Sequence, residues 1–66
     1  MTATELLEAK LLVYMTDGNV DAYKAGDWTK YYVEDNHLSI IKAFHTSYFT
    51  LAIYNMNYVE KVVVDL

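Results

Sequence analysis

The segment Tyr48–Leu66, YFTLAIYNMNYVEKVVVDL, decides how this chain folds and which surface it presents. It is rich in β-branched and aromatic residues, which favour strands. Asn55-Met56-Asn57 in its middle suits a turn, because asparagine tolerates the left-handed backbone that turns require. Successive side chains of a strand point to opposite faces, and both faces of these two strands are apolar. We therefore predict a hairpin with more apolar surface than one small chain can cover.

Strand parity divides this hairpin into two faces. We expect Phe49, Leu51 and Ile53 to face the core of the monomer. The opposite face is the predicted oligomer interface, formed by Tyr48, Tyr54, Tyr58, Val62 and Val64. Large exposed apolar patches usually mark interaction sites, so we predict that this face binds a second copy of the chain, most simply as a dimer. The alternative is that an N-terminal helix covers it.

The N-terminal segment Thr2–Lys10 favours a helical turn or two, because it contains good helix formers and the spacing of a capping box. Two structures are possible for the residues that follow this segment. The helix could continue to Met15, since the leucines have suitable spacing. We favour a strand over residues 10–16, because Asp17-Gly18-Asn19 is a strong hairpin-turn signal.

Three further strands are predicted in the middle of the chain. The first runs from Val20 to about Gly26, the second covers residues 28–34, and the third covers residues 37–44 after an Asp35-Asn36 turn. A helix over residues 37–45, capped by Asn36, is the alternative for the last of these. The β interpretation is favoured because Leu38, Ile40 and Phe44 share one strand face.

The predicted fold is mainly β, with one domain over residues 1–66. It is a small antiparallel β-meander of about five to six strands, forming an open sheet or a half-closed barrel, with a short N-terminal helical segment. A chain of 66 residues buries only about 60% of the surface that its unfolded form exposes. Because the chain has no cysteine, neither disulfides nor thiolate zinc sites can stabilise it, and oligomerisation is one of the remaining solutions.

Charge and hydropathy argue against several classes of function. Nine acidic residues and five lysines give a net charge of −4, and arginine is absent. Direct binding of nucleic acid is therefore disfavoured. The first residues lack the basic start and long apolar stretch of a secretory signal, and no apolar run approaches the roughly 20 residues of a membrane span. We expect a soluble, cytoplasmic protein.

Metal, cofactor and catalytic motifs are not recognisable in the sequence. His37 and His45 are too far apart on a strand or a helix to share a metal ion. The run from Asp17 to Asp21 begins like a calcium loop, but Ala22 and Trp28 occupy the positions that need glycine and glutamate. We predict no metal, no cofactor and no enzymatic activity.

A second predicted surface lies at the turns. In a meander, the turns at residues 17–19, 34–36 and 55–57 would gather at one end, which would be acidic and rich in amides. The predicted partner-binding residues are Asp17, Tyr31, Tyr32, Glu34 and Asp35. Tyrosine is common at interfaces because it offers a large contact area with few rotatable bonds. Two adjacent tyrosines on a strand point to opposite faces, so at least one of that pair should face away from the core.

The predicted function is a small acidic protein-interaction module that self-associates and binds or inhibits a partner protein. Small acidic inhibitors that occupy an enzyme's binding cleft, including viral inhibitors of host enzymes, share this size and charge, but no residue motif supports a closer assignment. Two alternatives are a structural subunit of a larger assembly and an oligomer that encloses a nucleotide-like ligand between aromatic rings such as those of Trp28 and Tyr31.

Overall fold

The computed structural model describes residues 9–65, and these contain six β-strands. The strands are β1 (Lys10–Met15), β2 (Val20–Tyr23), β3 (Lys30–Glu34), β4 (His37–Phe44), β5 (Ser47–Asn55) and β6 (Val59–Asp65), with a short 3-10 turn at Met56–Tyr58. The mainly β prediction is confirmed. The predicted N-terminal helix lies outside the described residues, apart from Ala9 and Lys10, and Lys10 already belongs to β1. The helix alternatives to Met15 and over residues 37–45 are wrong.

The six strands form two antiparallel sheets of three strands each. Sheet A has the order β2-β1-β6, and sheet B has the order β3-β4-β5. A single meander would pair β2 with β3 and β5 with β6, so that part of the prediction is wrong. The links at residues 24–29 and 56–58 instead lead from one sheet to the other. This arrangement allows the apolar faces of the two central strands to bury each other.

The core lies between the two central strands. Leu11 and Val13 of β1 and Leu38 and Ile40 of β4 are fully buried, and Val59 of β6 joins them. Central strands have a neighbour on each side, so their inward side chains are covered along the sheet as well as across it. Burying side chains of this kind stabilises a fold by about 1.5–3 kcal/mol each.

The predicted core face of the C-terminal hairpin is wrong. Phe49, Leu51 and Ile53 are exposed at 52, 44 and 63% of their surface. Ala52 and Tyr54 pack against the core instead. Unbroken alternation along β5 fails for Ile53, which lies opposite Ser39 on the outward face, whereas Phe49 lies opposite Lys42 on the core-side face but is exposed there.

A β-bulge interrupts that alternation. Ile40 of β4 lies opposite Ala52, but the next residue, Ile41, lies opposite Thr50. Leu51 is therefore the extra residue of the bulge and has no partner in β4. A bulge reverses the relation between odd and even positions and the two faces of a strand. Residues on either side of Leu51 thus cannot be assigned by parity alone.

The hairpin turns adopt the conformations that their sequences favour. Asp35 and Asn36 have φ values of 52° and 63°, as a two-residue type I′ turn requires. Gly18 has a φ of 95°, and its N–H donates a hydrogen bond to the carbonyl of Met15 at 3.1 Å. Both turns lie where the sequence predicts them.

The link from β2 to β3 is anchored to the start of β1. Its turn is closed by a hydrogen bond from the N–H of Asp27 to the carbonyl of Lys24 at 3.0 Å. The indole N–H of Trp28 donates to the carbonyl of Ala9 at 2.9 Å. Because this link forms its own turn, β3 begins at Lys30, two residues later than predicted.

Candidate interaction surface

The three polar turns gather at one end of the molecule. The N–H of Met56 donates to the carbonyl of Asn36 at 2.9 Å, and the N–H of Thr16 donates to the carbonyl of Tyr58 at 2.9 Å. The side-chain amide of Asn36 also donates to Asn57 at 3.1 Å. The 3-10 turn therefore lies between the turns of the two hairpins. We call this end the acidic end; it arises from two sheets and not from one meander.

Asp17 at the acidic end is occupied by its own turn. One carboxylate oxygen accepts the backbone N–H of Asn19 and the other accepts its side-chain amide, both at 3.0 Å. Such bonds stabilise the turn. Glu34, the last residue of β3, and Asp35, in the turn that follows it, are exposed. The carboxylates with the freest access to a partner at this end are therefore those of the β3–β4 turn.

Tyr31 and Tyr32 occupy opposite faces of sheet B, as predicted. Tyr31 lies opposite Ile40, on the face that carries the core. Tyr32 lies opposite Ser39, on the outward face, and both tyrosines are exposed. The partner-binding residues are thus divided between the acidic end and two faces of one strand.

The aromatic pair considered for ligand stacking is already in contact. The rings of Trp28 and Tyr31 have centroids 6.3 Å apart and planes tilted by 44°. A base stacked between two rings needs them parallel and about 7 Å apart, twice the carbon contact distance. This geometry does not favour a nucleotide between them.

The predicted oligomer interface is also divided. Tyr54 and Val62 pack against the core of the monomer. Tyr48 and Tyr58 are exposed, but Tyr48 lies at the start of β5 and Tyr58 lies in the 3-10 turn that follows the end of that strand. Val64 lies in sheet A opposite Leu11. The structure does not bring these five residues together on one face.

Tyr54 is half-buried and belongs to a hydrogen-bond chain that joins the two sheets. Its hydroxyl donates to the carboxylate of Asp21 at 2.8 Å and lies 2.6 Å from the hydroxyl of Tyr23. Because Tyr54 has one proton to donate, Tyr23 must be the donor in the second bond. Burial, and then the bonds to Tyr23 and Asp21, raise the pKa of Tyr54. The hydroxyl stays protonated and has a structural role.

The outward face of sheet B carries an apolar surface. Tyr32 and Ile53 flank Ser39, while Lys30 and Thr50 flank Ile41. Ser39 and Ile41 are buried on this face, and neither belongs to the core cluster between the sheets. The ammonium of Lys30 lies 4.9 Å from the ring centroid of Tyr48, which contributes to the same face. We call this set of residues the outer face of sheet B.

The free edge of β5 borders this surface. It is the longest of the four edge strands in residues 9–65, with nine residues and no charged side chain. β2 has four residues, and β3 has five with a charge at each end. β6 has seven residues, of which three are charged. Charges and short length are the usual protection of an edge against pairing with another chain, and β5 has neither.

Two phenylalanines form a separate apolar pair at the β4–β5 turn, on the core-side face of sheet B, because Phe49 lies opposite Lys42. Phe44 and Phe49 have ring centroids 6.4 Å apart, and both are exposed. Phe44 shares the strand face of Leu38 and Ile40, as predicted, but sheet A does not cover it. Sequence periodicity indicates the face of a side chain and not how far the opposing sheet extends.

The comparisons with known proteins add no assignment. Protein-family models, curated proteins and solved structures gave no match to this chain. Within residues 9–65, no cluster of three or more histidine, cysteine or acidic side chains could hold a metal ion. In the same part of the chain, no helix has the length and apolar character of a membrane span.

Proposed function

We propose that this chain is a protein-interaction module that works as a homo-oligomer, most simply a dimer, and that also binds a partner protein. The proposal is based on the uneven distribution of exposed apolar side chains between the two sheets. Eight of the eleven large hydrophobic side chains exposed in residues 9–65 belong to sheet B. They are Tyr31, Tyr32, Val33, Phe44, Tyr48, Phe49, Leu51 and Ile53.

Single exposed apolar residues are common on any protein surface, but a contiguous group of them is not. Sheet B carries one such group on each face: Phe44 lies beside Phe49 on the core-side face, while Tyr32 and Ile53 lie on either side of Ser39 on the outer face. Removing such surface from water stabilises an association by roughly 25 cal/mol for each Å² buried. A second copy of sheet B supplies a surface of matching character.

Sedimentation velocity on the purified chain, from low to high micromolar concentration, tests self-association. We expect the sedimentation coefficient to rise with concentration. Ile53→Lys places a charge on sheet B and should keep the chain monomeric. The matched control is Val20→Lys, at an exposed position on an edge strand of sheet A, which should sediment like the unmodified protein.

Two results would contradict the proposal. An unmodified chain that stays monomeric at high micromolar concentration overturns self-association. Equal effects of the two lysine substitutions would show that sheet B is not the surface used.

For the partner protein, we assign the contact to the acidic end. Glu34 and Asp35 are exposed there, and the chain's net charge of −4 favours encounter with a basic surface. Occupation of a basic binding cleft would inhibit the partner, which is the mode of action we propose.

Affinity capture from the source cells, followed by binding kinetics with the purified partner, tests this contact. Glu34→Gln with Asp35→Asn removes two charges without changing side-chain size, and asparagine tolerates the positive φ at residue 35. We expect slower association and a weaker dependence on salt. The control is Glu60→Gln with Asp65→Asn on β6; if it slows association equally, the acidic end is not the contact.

A further inference from the structure

We propose that β5 pairs with β5 of a second copy, antiparallel and about a twofold axis, so that two copies of sheet B become one six-stranded sheet. This inference rests on the proposed self-association and specifies its geometry. Two identical strands that pair in opposite directions are related by a twofold axis, and such pairing closes without leaving the same edge free for a third copy.

The choice of β5 follows from the comparison of edges. Each of the other edge strands in residues 9–65 carries at least one charged side chain, whereas β5 carries none. In a chain with a net charge of −4, an uncharged edge is where two copies approach with the least repulsion. An exposed edge also offers a row of unpaired N–H and C=O groups to a second strand.

The hydrogen-bonding pattern of β4 and β5 identifies which backbone groups are available. In an antiparallel ladder, pairs that exchange hydrogen bonds alternate with pairs that do not. The pair that closes the two-residue β4–β5 turn is a bonded one, so the next pair, Ala43 and Tyr48, is not. At the β3–β4 turn, Glu34 and His37 form the closing bonded pair, so Ser39 exchanges its hydrogen bonds with β3. Ser39 and Ile53 therefore form a pair without mutual hydrogen bonds. The backbone groups of Tyr48 and Ile53 therefore point away from β4, toward a second strand.

The side chains of these two residues share a face because of the bulge. In a regular strand, residues five positions apart point to opposite faces. Tyr48 and Ile53 lie opposite Ala43 and Ser39, however, and those two are four positions apart on β4 and share a face. The extra residue, Leu51, thus brings Tyr48 and Ile53 together on the outer face of sheet B.

A twofold axis between Thr50 and Leu51 makes these positions self-complementary. It places Tyr48 beside Ile53 of the partner subunit and, by symmetry, Ile53 beside Tyr48 of the partner subunit. Each is an aromatic residue beside a β-branched one, a stabilising combination across antiparallel strands. The same register places Phe49 beside Ala52 of the partner subunit, where the small side chain leaves room for the ring.

The area available indicates how strong this dimer is. Tyr48, at 66% exposure, and the three exposed apolar residues that follow it in β5 offer about 450 Å² per protomer, taking roughly 200 Å² for a large side chain. A standard interface buries about 800 Å² per partner. We therefore expect a weak dimer that forms and dissociates with concentration.

Disulfide trapping tests the register. The chain has no cysteine, so every disulfide reports introduced positions. When Tyr48→Cys and Ile53→Cys chains are mixed under mild oxidation, we expect a linked heterodimer, and much less linkage in either variant alone. Val20→Cys, on the β2 edge, is the control for random collision. Circular dichroism checks that each variant is folded.

Amide hydrogen exchange on the unmodified chain provides a measurement that no substitution disturbs. At a concentration where nine-tenths of the chain is dimeric, exchange of the Tyr48 and Ile53 amides should slow by about tenfold, because it proceeds from the monomer. Amides on the free edge of β2 should be unchanged.

The possible failures are distinguishable. If the chain sediments as an oligomer, but the mixed variants link no faster than Val20→Cys and the two amides gain no protection, β5 pairing is wrong and self-association stands. If the chain sediments as a monomer at high micromolar concentration, the proposed function fails as well.

Discussion

Sheet A and sheet B have the same number of strands, but they differ in how much apolar surface they leave in water. Both place a lysine over a tyrosine on the outward face: Lys61 lies 4.7 Å from the ring centroid of Tyr14, and Lys30 lies 4.9 Å from that of Tyr48. Tyr14 is half-buried because it belongs to the central strand, whereas Tyr48 is exposed because it belongs to an edge. A lysine therefore lies over a tyrosine ring in both sheets, but only the ring in sheet A is shielded from water by neighbouring strands.

The edges differ in the same sense. The edges of sheet A are short or charged, and those of sheet B include the long uncharged β5. Within residues 9–65, sheet B therefore leaves more large apolar side chains in water than sheet A does. The proposed dimer uses sheet B.

The largest expected difference in the free energy of unfolding is between a substitution in the buried central strand of sheet B and one in its exposed edge strand. Leu38→Ala should lower the free energy of unfolding by about 2–5 kcal/mol, because it leaves a cavity between the sheets. Ile53→Ala, five-eighths exposed, should change it by less than about 0.5 kcal/mol in the monomer. Urea unfolding at low protein concentration measures both. Equal losses would mean that Ile53 is packed and that the assignment of faces in β5 is wrong.

A smaller effect is expected where the two sheets are joined by hydrogen bonds. Tyr54→Phe removes the hydroxyl that links Tyr23 to Asp21, and should cost about 1–2 kcal/mol, since the lost bonds include one to a carboxylate near the surface. Tyr58→Phe is the matched control, because Tyr58 is exposed. A neutral Tyr54→Phe would indicate that the hydrogen-bond chain does not stabilise the contact between the sheets.

The smallest effect is a dependence on alkaline pH. The pKa of Tyr54 is raised in the folded protein by burial and by its hydrogen bonds to Tyr23 and Asp21. The unfolded chain therefore releases this proton first. Its contribution to stability is complete below the unfolded pKa of about 10 and is lost as the pH rises above that value; solvent screening keeps the contribution small because Tyr54 is only partly buried.

Comparing the unmodified chain with Tyr54→Phe isolates this contribution from that of other ionising groups. The stability difference between them should shrink when urea unfolding is repeated above pH 10 or so. A difference that stays constant would show that Tyr54 ionises alike in the folded and unfolded chains.

The boundaries of β4 could be predicted because their signals are local, whereas β2 ends earlier and β3 begins later than predicted. β4 begins and ends at the predicted residues, and the Asp35-Asn36 turn before it has the positive φ values that this pair of residues favours. The pairing of β1 with β6 could not be predicted in the same way. It depends on contacts between residues about fifty positions apart, and no local pattern records them.

The faces of β5 could not be predicted because hydropathy and packing disagree there. Hydropathy favours Phe49 inside and Tyr54 outside, but Tyr54 is accommodated because Asp21 and Tyr23 lie across from it. Alternation on β2 places Asp21 and Tyr23 on one face, and this pattern could have indicated a polar site for a buried hydroxyl. No local pattern in the sequence indicates that β2 faces β5. The bulge at Leu51 then reversed the remaining parity argument.

The pairing of β1 with β6 has a consequence for the order of folding. Sheet B consists of two consecutive hairpins within residues 30–55, whereas sheet A is complete only when β6 returns to β1. Contacts between distant parts of a chain form slowly, because the intervening loop must close first. Sheet B should therefore form early, with its uncharged edge accessible while the core is still open to water. Rapid refolding at high concentration would then favour aggregates joined through β5, and dilution would favour the native chain.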